Sequence, residues 1–135
     1  MNILEVPLEQ VNLAWPQCEA MLEKALDYSR GAYNVGDAKV FAVTGMWNLL
    51  VAVDSANTIR GAALVQYYNR PHDRVAFIIA MGGRLITNPD TFQQMSAILR
   101  SRGATALEGG CRPSVARLWE RYGMVEMYRI VGVKL

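Results

Sequence analysis

The chain has 135 residues, of which 52% are apolar and 19% charged, and its formal net charge is +2. That length suits one domain able to bury its own core, and the composition excludes a disordered chain. Arg and Lys are interspersed with Asp and Glu rather than gathered in a basic stripe, so no nucleic-acid partner is expected.

Two cysteines, Cys18 and Cys111, lie far apart and outside any Cys-x-x-Cys or Cys/His cluster. No metal site is therefore expected, and the favoured reading is two reduced thiols in a cytoplasmic protein. The opening Met1-Asn-Ile-Leu-Glu-Val-Pro7 has no basic region followed by an apolar stretch, so no secretion signal is expected. No apolar run approaches the ~20 residues of a membrane span.

Ile3 to Val6, stopped by Pro7, predicts a first strand. From Val11 to Ser29 the spacing is helical, with Cys18, Met21, Leu22, Ala25, Leu26 and Ser29 on one face and Gly31 as a stop. A second helix is expected over Gly36 to Thr44, capped by Asp37, with Val40, Phe41 and Thr44 inward. Trp47 to Val53 and Thr58 to Tyr68 then read as two strands of a hairpin joined by Asp54-Ser-Ala-Asn57. Arg74 to Met81 is a third strand, apolar enough to be buried on both faces, and Gly82-Gly83 is expected to break it.

Asn88-Pro89 opens a helix, because Asn caps and Pro suits the first helical position. It runs to about Arg102 with Phe92, Met95, Ile98 and Leu99 inward, and Gly103 ends it. Ala104 to Glu108 is a short strand. Pro113 to Tyr122 is a helix with Val115, Leu118, Trp119 and Tyr122 on one stripe, ended by Gly123. Val125 to Leu135, rich in β-formers, predicts a last strand. The order β-α-α-β-β-β-α-β-α-β predicts a single mixed-sheet α/β domain over residues 1–135.

Among single residues, His72 sits in the polar turn Arg70-Pro-His-Asp-Arg74 and reads as a solvated loop residue before it reads as a base. Cys111 follows Gly109-Gly110 and precedes a helix, where a thiolate is favoured, but a small buried thiol is the default. Of Tyr67 and Tyr68, alternation sends one ring inward to the core and the other outward as a candidate groove lining. Trp15, Trp47 and Trp119 read as core. Arg100, Arg102, Arg112, Arg117 and Arg121 bias the C-terminal half toward basic, as helix surfaces or as attraction for phosphates.

The C-terminal third carries a resemblance. Gly103-Ala-Thr-Ala-Leu-Glu108, then a helix holding Ala116-Arg-Leu-Trp-Glu-Arg-Tyr-Gly123-Met, resembles the tail of the GNAT family of N-acetyltransferases. Ala32-Tyr33, Pro71-His-Asp-Arg74, Gly82-Gly83 and Cys111-Arg112-Pro-Ser-Val-Ala-Arg117 are similar to motifs of a divergent GNAT-like branch of bacteriophage genomes. The resemblance implies a central, mostly antiparallel sheet with flanking helices and one splayed parallel strand pair. It implies acetyl-CoA at that splay, between the strands ending near Met81 and Glu108. Ile79, Ala80, Met81, Gly82, Gly83, Arg84 and Arg112 would bind the cofactor, and Glu108 and Tyr122 would be catalytic.

Some positions depart from the family pattern. Asp90 puts a negative charge, and Pro89 removes an amide, at the helix start where the pyrophosphate would sit. Trp119 stands at the usual position of the acidic Tyr, and indole N–H has no useful acidity; Tyr122 lies about one turn further on. Two functions are therefore weighed. One is acetyl transfer from acetyl-CoA to a small-molecule or protein amine. The other is a catalytically silent phage virion or accessory protein that binds a phage or host protein. The expected location is cytoplasmic, or the host cytoplasm or virion for a phage protein. Long apolar strands also leave room for a homodimer through sheet edges.

Overall fold

The computed structural model describes all residues, 1–135. The chain forms β1 (Asn2–Glu5), α1 (Leu8–Leu26), a single 3₁₀ turn (Asp27–Ser29), α2 (Val35–Val43), β2 (Asn48–Val53), β3 (Ile59–Asn69), β4 (Arg74–Gly83), α3 (Pro89–Ser101), β5 (Ala106–Gly109) and α4 (Pro113–Glu120). The five strands make one sheet in chain order. β1 to β4 pair antiparallel, and β5 pairs parallel to β4.

The sheet is the middle of three layers. Leu49 and Val51 of β2 and Ala62 and Leu64 of β3 face α1 and α2, where they meet Val11, Trp15, Cys18, Leu22, Leu26, Ala38 and Ala42. Their neighbours Leu50, Ala52, Ala63 and Val65 face α3, where they meet Leu85, Met95 and Leu99. This strict alternation is why β2 and β3 read as continuous apolar runs: both faces are covered. The alanines keep the sheet surface low, so the helices pack close.

α2 starts one residue earlier than its periodicity suggested, because Asn34 rather than Asp37 is its cap. The Asn34 side chain accepts from the Asp37 amide at 2.8 Å, and the Asp37 carboxylate accepts from the Asn34 amide at 3.0 Å. The small residues Ala38 and Ala42 then form the buried stripe, while Val40, at 58% exposure, and Thr44 point to solvent, contrary to expectation. Phe41 is half-buried and packs its ring 4.6 Å from Trp47.

α3 begins as its sequence predicts, with Asn88 as cap and Pro89 in the first turn. Met95 and Leu99 are buried and Phe92 and Ile98 half-buried. Leu118 of α4 is exposed rather than inward, because its neighbour Trp119 takes the inward position together with Val115.

Two expectations fail. Gly82-Gly83 does not break the third strand but lies inside β4, which runs on to Gly83. Residues 125–135 form no strand; they run outside the sheet, and no backbone group among them hydrogen-bonds to the protein.

Candidate active site

The parallel pairing of β4 and β5 covers only Val75 to Ile78 against Ala106 to Gly109. β4 continues through Ile79 to Gly83 with no partner on that side, so the two strands part at Ile78 and Gly109. At the same place β4 carries a bulge. Leu64 of β3 pairs with Ala80 and Val65 with Ile78, leaving Ile79 as the extra residue. The bulge resets the strand's phase. Ala76 packs on the α3 side, whereas Ala80, four residues on, packs on the α1 side with Ile79 beside it. The result is a short backbone edge, residues 79–83, opening at the carboxyl end of a parallel pair.

On the α1 side of β5 lies Glu108, only 7% exposed. Both its oxygens are taken by Arg70: Nη1 donates to Oε2 at 2.5 Å and Nη2 to Oε1 at 2.9 Å. Arg70 Nη2 also donates to the Tyr68 hydroxyl at 2.8 Å, and its guanidinium lies over the Tyr68 ring. The Glu108 carboxylate pushes the Arg70 pKa further up. Phe77, opposite Glu108 in the ladder, packs against Tyr68 with ring centres 6.4 Å apart. A bidentate Arg–carboxylate pair fixes both groups in place.

On the α3 side, Trp119 of α4, 8% exposed, lies over the place where the strands part. A Cβ on Gly109 would stand 3.1 Å from its ring and 3.3 Å from the Ile78 side chain. Gly109 therefore lets the indole close the floor of the cleft on this side. Tyr122, just after α4, stacks on Phe92 of α3 with ring centres 5.0 Å apart and planes 14° apart. Because Gly109 and Glu108 are consecutive on a strand, they face opposite layers. Glu108 and Tyr122, paired in the sequence reading, thus lie on opposite faces of the sheet.

Across the mouth, the guanidinium of Arg112, at the start of α4, sits 3.9 Å from the ring of Tyr28 in the 3₁₀ turn after α1. The amino end of α3 is largely self-satisfied. Asn88 Oδ1 accepts from the Thr91 amide at 2.9 Å, and Thr91 Oγ1 accepts from the amides of Thr87 and Asn88. Asp90 Oδ2 accepts from Gln94 Nε2 at 2.8 Å. With Pro89 lacking an N–H, only the Asp90 amide remains free among the first-turn donors.

Gly82 and Gly83 have a packing reason. A Cβ on Gly82 would run into the Met21 carbonyl of α1, and Gly83 has φ +68° against Met21 and Arg60. α1 crosses this part of the sheet so closely that only glycine fits. Arg84 gives its amide to the Arg60 carbonyl at 2.8 Å, and its side chain is exposed at the rim.

The other candidates fall elsewhere. His72 is exposed in its turn. Cys111 is exposed rather than buried, and residual burial together with the nearby Glu126 charge raises its pKa, which disfavours the thiolate. Cys18 is buried in the core and its thiol is pushed up to about 11 by burial. Tyr67 and Tyr68 do point to opposite faces, but both are half-buried: Tyr67 donates to Asn48 Oδ1 at 3.1 Å. No group of three or more His, Cys, Asp or Glu is placed to hold a metal, and no helix is long and apolar enough to cross a membrane.

Sequence reasoning missed Arg70 and Tyr28, and it offered one of Tyr67 and Tyr68 as a groove residue without saying which. The only available signal was Tyr68-x-Arg70 at a strand end, and its meaning depends on a register that brings Glu108 alongside.

The order of elements, the bulge and the parted parallel pair define the GNAT fold, and solved structures agree. The chain is similar to an aminoglycoside acetyltransferase from an uncultured soil metagenomic sample, with TM-score 0.69 and 11% identity over 99% of this chain and 97% of that one. It is similar to a probable acetyltransferase, with TM-score 0.68 and 13% identity over 100% and 97% of the two chains. A ribosomal-protein-alanine N-acetyltransferase from Brucella melitensis biovar Abortus 2308 matches with TM-score 0.64 and 9% identity over the whole of both chains. At such identities the likeness is one of fold. No protein-family model matches the sequence, and no curated protein matches it.

Proposed function

We propose that the chain is an acetyltransferase that moves an acetyl group from acetyl-CoA directly to an amine. The single observation that carries this reading is the parting of β4 from β5 beyond Ile78 and Gly109. Open α/β sheets take ligands at the carboxyl ends of parallel strands, and an unpaired edge binds an amide-bearing chain as a strand would be bound.

The free edge from Ile79 to Gly83 fits the amide-rich arm of coenzyme A. The amino end of α3 does not supply the usual phosphate cradle, because Asn88 and Thr91 have used its amides and Asp90 opposes an anion. Arg84 at the rim and Arg112 at the mouth are the partners proposed for the phosphates. When bound, the cofactor would supply an activated acetyl thioester. An amide of residues 79–81 would polarise its oxygen. Glu108 would take a proton from the acceptor amine once an oxygen is released from Arg70, and Tyr122 Oη would be the proton source on the other face.

Titration calorimetry with acetyl-CoA, followed by a thiol-release assay with a panel of amines, tests the reading. Saturable heat and amine-dependent thiol release are expected. An absence of heat at millimolar acetyl-CoA removes the proposal. Asp90→Asn is expected to tighten binding about two- to fivefold by easing repulsion of the phosphates.

A second reading is favoured by Trp119 covering the cleft floor and by Arg70 holding Glu108. In it the chain has lost turnover and works by binding a phage or host protein, as a virion or accessory component. Co-purification with particles, with no thiol release, would support it.

A further inference from the structure

The Arg70–Glu108 pair stands beside the place where β4 and β5 part, next to the half-buried rings of Tyr68 and Phe77. A buried ion pair gains a fold little over two apolar side chains of the same size. The two members are unequally covered. The Glu108 side chain is 7% exposed, whereas that of Arg70 keeps 36% of its surface in contact with solvent. A ligand arriving from solvent therefore meets the guanidinium first and the carboxylate behind it.

The guanidinium is not saturated. It has five N–H donors. Nη1 and Nη2 each give one to Glu108, and Nη2 gives its second to the Tyr68 hydroxyl. The Nε–H and the second Nη1 hydrogen have no acceptor in the protein. The pair thus shows free donors outward and a carboxylate inward.

This arrangement sorts amines by charge. A simple amine brings its ammonium toward Glu108 but also toward the like charge of Arg70, and it offers Arg70 nothing in exchange. A molecule with an ammonium and a carboxylate close together matches both members. Its ammonium replaces Arg70 on Glu108, and its carboxylate replaces Glu108 on Arg70. One internal pair is exchanged for two, and no buried charge is left alone.

We propose that the acceptor is a free amino acid, with the Arg70–Glu108 pair as the template for its two opposite charges. The assignment rests on the acetyl transfer proposed above only for the fate of the amine, not for its binding. Arg70 is then a specificity residue. It keeps Glu108 closed to amines that lack a carboxylate and yields it to those that carry one. The freed Glu108 oxygen accepts one proton from the ammonium and leaves the neutral amine.

Ligand-detected NMR on the unmodified full chain, without acetyl-CoA, compares common L-amino acids with their own carboxamides. Each carboxamide keeps the amine and the side chain and lacks only the carboxylate. At least one amino acid is expected to bind about tenfold or more tightly than its carboxamide. The Arg70 Nε–H resonance should shift when that amino acid is added and stay in place with the carboxamide. In Arg70→Gln, which keeps a donor for Glu108, the preference is expected to shrink to within about twofold. Equal binding of the two forms, or binding of neither, overturns the proposal. So does an Arg70 resonance that ignores the amino acid, a readout that needs no variant to fold. An amino-acid preference without thiol release upholds the template and removes acetyl transfer, so the two can fail separately.

Discussion

The antiparallel half of the sheet, β1 to β3, and the parallel half, β4 with β5, are built to different rules. In the first, the one extra residue, Arg60, falls at the hairpin end; the central strand residues alternate between two helix-covered faces and are apolar and buried. In the second, one residue is looped out, pairing stops after four residues, a carboxylate is buried and the outer edge is bare. These features gather where two layers and a helix end converge, which is where a ligand can reach backbone. The first half provides rigidity, and the second spends regularity on access.

The largest effect expected from breaking this contrast is in the first half. Leu22→Ala removes a fully buried side chain under the antiparallel strands and should cost about 4 kcal/mol in denaturant unfolding. Gly82→Ala attacks the seam between the halves, where the new methyl meets the Met21 carbonyl. A loss of about 3 kcal/mol is expected, read by thermal unfolding. Arg70→Met acts within the second half and leaves the Glu108 carboxylate buried without a partner. The variant should lose about 2 kcal/mol in the same thermal unfolding measurement.

Asn88→Ala removes the cap of α3 and should cost about 1 kcal/mol by the same unfolding measurement. The smallest effect is at the hairpin turn. Arg60 holds the Asp54 carboxyl below its ordinary pKa. A carboxylate with a depressed folded pKa adds stability above its ordinary value of 3.8 and loses it as the pH falls through the depressed one. Asp54→Asn should therefore lower Tm by about a degree at pH 7, and the difference should vanish in strong acid.

The sequence was most informative where local chemistry decides structure. The hairpin from Trp47 to Tyr68, the start of the helix at Asn88-Pro89 and the mixed order of strands and helices were all legible, as was the parted pair implied by the family resemblance. It was least informative where a partner from a distant segment decides. Gly82-Gly83 looked like a strand break because their neighbour, Met21, lies some sixty residues away. Glu108 gave no sign of its partner, because Arg70 reaches it only through the β4–β5 register. Residues 125–135 are rich in β-formers, but composition names a preference and not the edge that satisfies it. Val40 and Leu118 went outward because a neighbouring small or larger residue claimed the inward position.

The looped-out Ile79 has a bearing on how this sequence can change over time. It works as a frame shift written into one strand: even positions before it, such as Ala76, answer to the α3 layer, whereas Ala80 after it answers to the α1 layer. The same parity therefore meets a different helix on either side of it, so the two stretches drift under opposite phases of constraint. Losing that single residue would bring both stretches under one rule again, turn Ala80 and its followers to the wrong layer, and erase the opening with them.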